Sequence, residues 1–123
     1  MDEHRSLSVT PDRYLTYRYA GASGDFNPIH LDDEFARSVG LPGKILHGLW
    51  TMAQCARAQG DGLKLRSLSV QFRGMGVPEE EVTVTSTVRE RRDGEVVVDC
   101  EALQGDRRLI RRGEAVVSRR AGS

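Results

Sequence analysis

A chain of 123 residues, 38% of them hydrophobic and 29% charged, is expected to form one domain spanning residues 1–123. Because 18 Lys and Arg residues balance 18 Asp and Glu residues, the formal net charge is zero, which disfavours binding to nucleic acid or to anionic membranes. The sequence has no apolar run near the roughly 20 residues of a membrane-spanning helix, and residues 1–6 lack the order of a secretory signal. We therefore expect a soluble, cytoplasmic protein in which Cys55 and Cys100, too far apart for a CxxC motif, are buried free thiols.

The amino-terminal quarter of the chain is predicted to hold a short strand and then a helix. Residues 7–9 fit the strand, and Thr10 is expected to cap the helix with Pro11 in its first turn. This helix is expected to carry three tyrosines over about three turns and to end at the Gly-containing segment 21–24.

Two further helices are predicted on either side of a Pro-Gly segment. The first spans Asp33 to Val39 and is stopped by Gly40. The second lies between Lys44 and Gln59, where apolar residues recur so densely that the helix is apolar on most of its circumference. A helix of that kind is expected to be buried and wrapped by another part of the fold.

The second half of the chain alternates apolar and polar residues, which predicts half-buried strands. Alternation begins near Leu68 and Val82 and resumes after the turns at Arg92-Asp93-Gly94 and Gly105-Asp106. Long antiparallel strands after one buried helix predict an α+β domain in which a sheet curls around that helix. The last residues, Ala121 to Ser123, are expected to fray.

The segment from Asp25 to His30 is the strongest candidate for chemistry. Residues five apart share a face of neither a helix nor a strand, so only a turn brings them together, and Asn27-Pro28 supplies one. A carboxylate and an imidazole would then converge on a site for one water molecule. On spacing alone the simpler interpretation is structural: Asp25 caps the turn and His30 fills a corner.

His47 and Gly48 fall at or near the start of the predicted buried helix. Unpaired N–H groups and the positive end of the helix dipole would point at whatever lies there. A carbonyl oxygen bound to the Gly48 N–H would be polarised as in an oxyanion hole. Close packing of Gly48 against a strand is an equally good explanation for the glycine.

Two linked stretches resemble a known family. Tyr19-Ala-Gly-Ala-Ser-Gly-Asp-Phe-Asn-Pro-Ile-His-Leu-Asp-Asp-Glu-Phe-Ala36 and Gly40-Leu-Pro-Gly-Lys-Ile-Leu-His-Gly-Leu-Trp-Thr-Met-Ala53 are similar to the signature of the MaoC-like, (R)-specific enoyl-thioester hydratases and dehydratases. The similarity is dense from Tyr14 to Ala58 and thinner afterwards. It implies a hot-dog fold, with an antiparallel sheet around a central helix.

The resemblance also implies an activity and a set of site residues. The family adds water reversibly and syn to trans-2-enoyl thioesters of CoA or acyl carrier protein, giving (R)-3-hydroxyacyl thioesters. Its catalytic residues fall on Asp25 and His30, and its oxyanion-hole N–H falls on Gly48. Residues expected to support the site or position substrate are Asn27, Ser23 and His47. A homodimer is implied, or a heterodimer with a related hot-dog subunit, and no cofactor is expected beyond the carrier of the substrate.

Three alternatives compete with hydration. A hot-dog thioesterase often carries its catalytic carboxylate on the central helix, but residues 44–60 contain neither Asp nor Glu. A non-catalytic, acyl-binding subunit of a heterodimeric dehydratase is disfavoured because both Asp25 and His30 are present. A metal site is disfavoured because Asp25, His30 and His47 lack the i, i+4 spacing of a helical metal motif, and the family uses no metal.

Overall fold

The computed structural model describes residues 3–60 and 62–119, so the predicted fraying of residues 121–123 lies outside the described residues. The strands are β1 His4–Val9, β2 Leu63–Phe72, β3 Val82–Arg92, β4 Glu95–Gln104 and β5 Arg107–Arg119. The helices are α1 Leu15–Ser23, a single 3₁₀ turn at Pro28–His30, α2 Asp33–Ser38 and α3 Gly48–Arg57. Within these described residues, the model contains no helix that is both long and apolar enough to cross a membrane.

The five strands form one antiparallel sheet in the order β1-β3-β4-β5-β2. Alternation sets which side chains face the core: Val82 and Val84 on β3 are fully buried, whereas Thr87 on the same strand is exposed. Both predicted hairpin turns are confirmed, and Gly94 and Gly105 adopt the positive φ angles of 70° and 61° that such turns require. The α+β class predicted from the sequence is therefore confirmed.

Helix α3 begins four residues later than the pattern predicts. Lys44 to His47 form an extended segment because neighbouring main chains use its N–H groups. Ile45 N–H donates to Ile29 O at 3.1 Å, and Leu46 N–H donates to Gly76 O at 2.8 Å. These tertiary bonds replace the helical ones, so the helix starts at Gly48.

The prediction that α3 is buried around most of its circumference is wrong for the single chain. One face packs on the sheet and contributes Trp50, Cys55 and Ala58 to the core. On the opposite side Leu49 is 62% exposed and Ala53 is also exposed. The apolar residues of α3 therefore cover two faces, of which the sheet buries one.

Helix α1 also starts later than predicted, at Leu15 and not after Thr10. Asp12 organises the preceding turn: its carboxylate accepts from Tyr14 N–H at 2.8 Å, and its carbonyl accepts from Leu15 N–H at 3.1 Å. Pro11 is held away from a helical position because its carbonyl accepts from Glu79 N–H at 2.6 Å. Helix α2 spans Asp33–Ser38, close to the predicted boundaries.

Cys55 on α3 and Cys100 on β4 are buried and free, as predicted. Hydrogen bonding to Cys100 and burial raise the pKa of the Cys55 thiol far above its usual value. Both cysteines therefore act as small core residues that join the helix to the sheet.

Candidate active site

The turn that carries Asp25 is built by a series of short polar contacts. Helix α1 ends at Gly24, whose φ of 80° reverses the chain. The Ser23 hydroxyl then accepts from Asp25 N–H at 3.2 Å, and Asp25 Oδ1 accepts from Asn27 N–H at 3.2 Å. Asn27 Oδ1 accepts from Ile29 N–H at 3.1 Å and caps the 3₁₀ turn. Ser23 and Asn27 therefore fix the backbone around Asp25.

The two oxygens of the Asp25 carboxylate have different surroundings. Oδ1 holds the turn, as the structural interpretation of the sequence expects. Oδ2 lies 3.8 Å from Nε2 of His30. The Asp25 side chain is 53% exposed and the His30 side chain only 9%, so the pair joins a solvent-facing carboxylate to a buried imidazole. The Asp25 carboxylate therefore does two things: Oδ1 holds the turn, as the structural interpretation expects, and Oδ2 faces His30, as the chemical interpretation expects.

The tautomer of neutral His30 is set by its buried partner. Its Nδ1 lies 2.8 Å from the Ile45 carbonyl oxygen, which accepts only, so Nδ1 carries the proton. Nε2 of the neutral ring is then a free lone pair facing Asp25. A water molecule beside the pair can lie at about 2.8 Å from both Nε2 and Oδ2.

His47 contacts both Asp25 and His30. Its ring stacks on His30 at a centroid distance of 3.8 Å and an interplanar angle of 18°. Its Nε2 donates to the Asp25 carbonyl oxygen at 3.1 Å, and the centroid of the tilted Tyr19 ring lies 4.8 Å from that of His47. His47 therefore contacts the ring of one member and the main chain of the other.

Burial lowers the pKa of His47 below its usual 6.5, and the neighbouring His30 adds to this, although the hydrogen bond to Asp25 opposes it. The unfolded chain then binds a proton at His47 more readily than the folded chain does. We expect the free energy of unfolding to fall as the pH drops from about 7.5 to about 5.5, and His47→Gln to flatten that fall. Urea unfolding at several pH values measures both slopes, and equal slopes for the two proteins would contradict this assignment.

Gly48 is the first residue of α3, and His47 at the preceding position makes no side-chain capping bond. Among residues 3–60 and 62–119, no acceptor is hydrogen-bonded to the Gly48 N–H. The group lies at the positive end of the helix dipole, where it can stabilise developing negative charge. The alternative explanation also has support, because a Cβ on Gly48 would lie 3.2 Å from Cε1 of Phe72.

Two cavities meet at Gly48. The first, here called the His30 cavity, has a volume of about 230 Å³, and its lining includes His30, Ile45, Leu46 and Leu109. The second, the Asp25 cavity, has a volume of about 260 Å³, and its lining includes Asp25, Tyr19, Ser23, His47 and Leu49. Gly48 and Phe72 line both. Five residues predicted from the sequence are thus brought together around two adjacent hollows: Ser23, Asp25, His30, His47 and Gly48.

Asn27 lies in the turn and lines neither cavity, so its placement fits the support of Asp25. Phe72 lines both cavities without having been predicted as a site residue. It arrives from β2, and local sequence holds no signal for a contact with Gly48. On α3, Trp50 lies in the hydrophobic core and Met52 packs against it.

The spacing argument against a metal site does not hold in the folded chain. Asp25, His30 and His47 each place a potential ligand atom within 4.8 Å of the others. The orientation of the His30 and His47 rings gives a better argument against a metal site. Lone pairs lie in the ring planes, and two rings stacked 3.8 Å apart at 18° do not aim them at one ion. The arrangement therefore favours acid–base chemistry over metal binding.

A family model described as the MaoC-like domain matches residues 1–105. The chain is 36% identical over 126 residues to fatty acid synthase subunit beta of Aspergillus oryzae, a match covering 97% of the chain and 6% of that protein. It is 34% identical over 85 residues to enoyl-CoA hydratase ChsH3 of Mycobacterium tuberculosis, covering 64% of the chain and 29% of that protein. The chain thus spans well under half the length of either relative.

Among solved structures, the (R)-hydratase from A. caviae involved in PHA biosynthesis superimposes with a TM-score of 0.84. It is 26% identical in sequence, and the match covers 95% of this chain and 94% of that chain. The likeness therefore extends over nearly the whole of both folds.

Proposed function

The chain belongs to the MaoC-like domain family, and on that premise we propose that it catalyses reversible syn hydration of trans-2-enoyl thioesters to (R)-3-hydroxyacyl thioesters. Its hot-dog fold, expected from the sequence, is confirmed by the five-stranded sheet and its superposition on the (R)-hydratase. One observation carries the proposal. Asp25 Oδ2 and His30 Nε2 lie 3.8 Å apart, in cavities that share the uncapped helix start at Gly48.

In the proposed reaction the thioester carbonyl oxygen accepts a hydrogen bond from Gly48 N–H. A water molecule between Asp25 and His30 gives a proton to the pair as its oxygen bonds to Cβ of the enoyl group. The electrons of the double bond move to the carbonyl, and the Gly48 N–H stabilises the resulting enolate. The pair then returns a proton to Cα, so no co-reactant is consumed.

The buried position of His30 suits this role. Its Nδ1 bond to Ile45 keeps Nε2 ready to accept a proton, and the same bond supports the ring when both nitrogens carry protons. Because Asp25 and His30 approach the site from one turn, water and proton are delivered from the same side of the double bond. That common side is the physical basis for expecting syn addition.

The acyl group is expected to be carried by CoA or by acyl carrier protein. We also propose that a second hot-dog subunit, a copy of this chain or a relative, covers the exposed apolar side of α3. Leu49 on that side is 62% exposed and lines the Asp25 cavity. Light scattering of the purified chain tests whether a second copy binds. The mass of two subunits would support a homodimer, and the mass of a single subunit would show that no homodimer forms.

The experiment that tests the function measures two products of one incubation. Crotonyl-CoA and a longer trans-2-enoyl-CoA are mixed with the purified chain, and the enoyl-thioester absorbance is followed together with free thiol. Hydration removes the absorbance and releases no thiol. Thiol release would instead indicate a thioesterase, and no change in either signal would favour an acyl-binding subunit.

A further inference from the structure

We propose that the Phe72 side chain is a specificity-determining partition that limits the length of acyl chain the site accepts. This inference rests on the proposed function, since it assigns the acyl chain to the cavities around Asp25 and His30. Phe72 is the last residue of β2, its side chain lines both cavities, and its ring lies against Gly48.

The position of the ring conflicts with the path that a substrate must take. A thioester bound to Gly48 N–H, with its Cβ beside Asp25 and His30, has to extend into both cavities. The carbon Cε1 of Phe72 would lie only 3.2 Å from a Cβ on Gly48, so the ring occupies the space beside this residue. Phe72 therefore stands between the two spaces that the substrate would join.

The cavity volumes indicate that this separation matters. At about 230 and 260 Å³, each cavity is smaller than the roughly 300 Å³ at the lower end of small-molecule sites, whereas the two joined exceed it. The His30 cavity suits an acyl chain because Ile45, Leu46 and Leu109 line it and are buried.

One wall of the His30 cavity, formed by Leu46, Gly76 and Leu109, has little freedom to move. A Cβ on Gly76 would lie 2.9 Å from Leu46 Cδ1 and 3.1 Å from Leu109 Cδ1, so this wall is already closely packed. Phe72 is 52% exposed and ends strand β2, which pairs with β5 at the edge of the sheet. Phe72 is therefore the wall that can be truncated to join the two cavities without disturbing the packed core.

The test uses saturated acyl-CoAs, from butanoyl-CoA to dodecanoyl-CoA, which bind without reacting. Calorimetry gives their affinities for the wild type, Phe72→Ala and Phe72→Leu. A matched control is Phe35→Ala, which removes a ring that is 40% exposed on α2 and lines neither cavity. Circular dichroism checks that each variant is folded.

We expect the affinity of the wild type to stop rising at a short chain length. In Phe72→Ala it should continue to rise about fourfold for each further methylene group buried. The ratio of octanoyl-CoA to butanoyl-CoA affinity should then be at least about 10-fold higher in Phe72→Ala than in the wild type or Phe35→Ala. Phe72→Leu should lie between them.

An unchanged length profile in folded Phe72→Ala would overturn the partition, whatever the catalytic activity. Failure of all proteins to bind any acyl-CoA would overturn it together with the proposed class of substrate. A shifted profile in a chain that never hydrates crotonyl-CoA would uphold the partition and reject the hydratase. The two proposals therefore fail in distinguishable ways.

Discussion

Replacing Asp25 with asparagine, or His30 with alanine, is expected to lower kcat for hydration of crotonyl-CoA at least about 100-fold. Each change removes a group that exchanges a proton with the attacking water. Asp25→Asn keeps an oxygen that can accept from Asn27 N–H, so the turn should persist. The loss should therefore appear in kcat while the fold is retained.

His30→Ala also removes a buried ring and leaves the Ile45 carbonyl without its 2.8 Å partner. His30→Asn separates the two effects, because an asparagine amide can occupy the place of Nδ1 and donate to Ile45, while no group replaces Nε2. His4→Ala serves as the control, since the His4 side chain is exposed and is hydrogen-bonded to the side chain of Thr87. Near wild-type kcat in a folded His30→Asn variant would contradict the proton-transfer role.

Gly48→Pro is expected to reduce kcat by about 100- to 1,000-fold while leaving the helix intact. Proline removes the main-chain N–H that would bind the enolate oxygen. It is well tolerated at the first position of a helix, where that N–H has no helical partner. His47 before it has φ −68° and ψ 131°, the extended conformation that a following proline requires.

Gly48→Ala is the matched control for this substitution. It adds a Cβ in the same place, 3.2 Å from Phe72 Cε1, but keeps the N–H. The half-exposed Phe72 ring can shift by the few tenths of an ångström needed. If the N–H matters, kcat of Gly48→Pro should fall about 100-fold or more below that of Gly48→Ala. Equal rates for the two variants would assign Gly48 to packing alone.

The local parts of this fold could be predicted because short-range chemistry determines them. Asn27-Pro28 forces a turn, and the structure places Asp25 and His30 at its two ends. Gly94 and Gly105 take the positive φ angles of hairpin turns. The buried valines of β3 follow from simple alternation. In each case the residues that decide the conformation are neighbours in sequence.

The starts of α1 and α3 could not be predicted because distant main-chain groups decide them. Ile45 and Leu46 belong to the apolar run that predicts a helix, yet their N–H groups donate to the carbonyl groups of Ile29 and Gly76. The exposed side of α3 could not be predicted either, since an apolar pattern shows which residues avoid water but not which part of the structure covers them.

The contacts that complete the site are also long-range. The stacking of His47 on His30 depends on the extended segment before α3, and Phe72 reaches Gly48 only because β2 lies beside β5 at the sheet edge. The resemblance to a family predicts Asp25, His30 and Gly48 as the reacting groups and His47 as a supporting residue, but not the ring that His47 stacks on or the approach of Phe72. A single sequence does not show which residues pack around a reacting side chain, because those contacts come from distant parts of the chain.

The stereochemistry of hydration in deuterium oxide tests the central claim most directly. Crotonyl-CoA is incubated with the wild-type chain, and the product is analysed by chiral chromatography and by NMR at Cα. In the proposed reaction Asp25 and His30 act from one side, with Gly48 N–H on the carbonyl, so we predict one deuterium added syn to the hydroxyl. The proposed (R)-hydration further predicts (R)-3-hydroxybutanoyl-CoA. An (S) product, an anti deuterium or free CoA in place of a hydroxyacyl thioester would contradict the account.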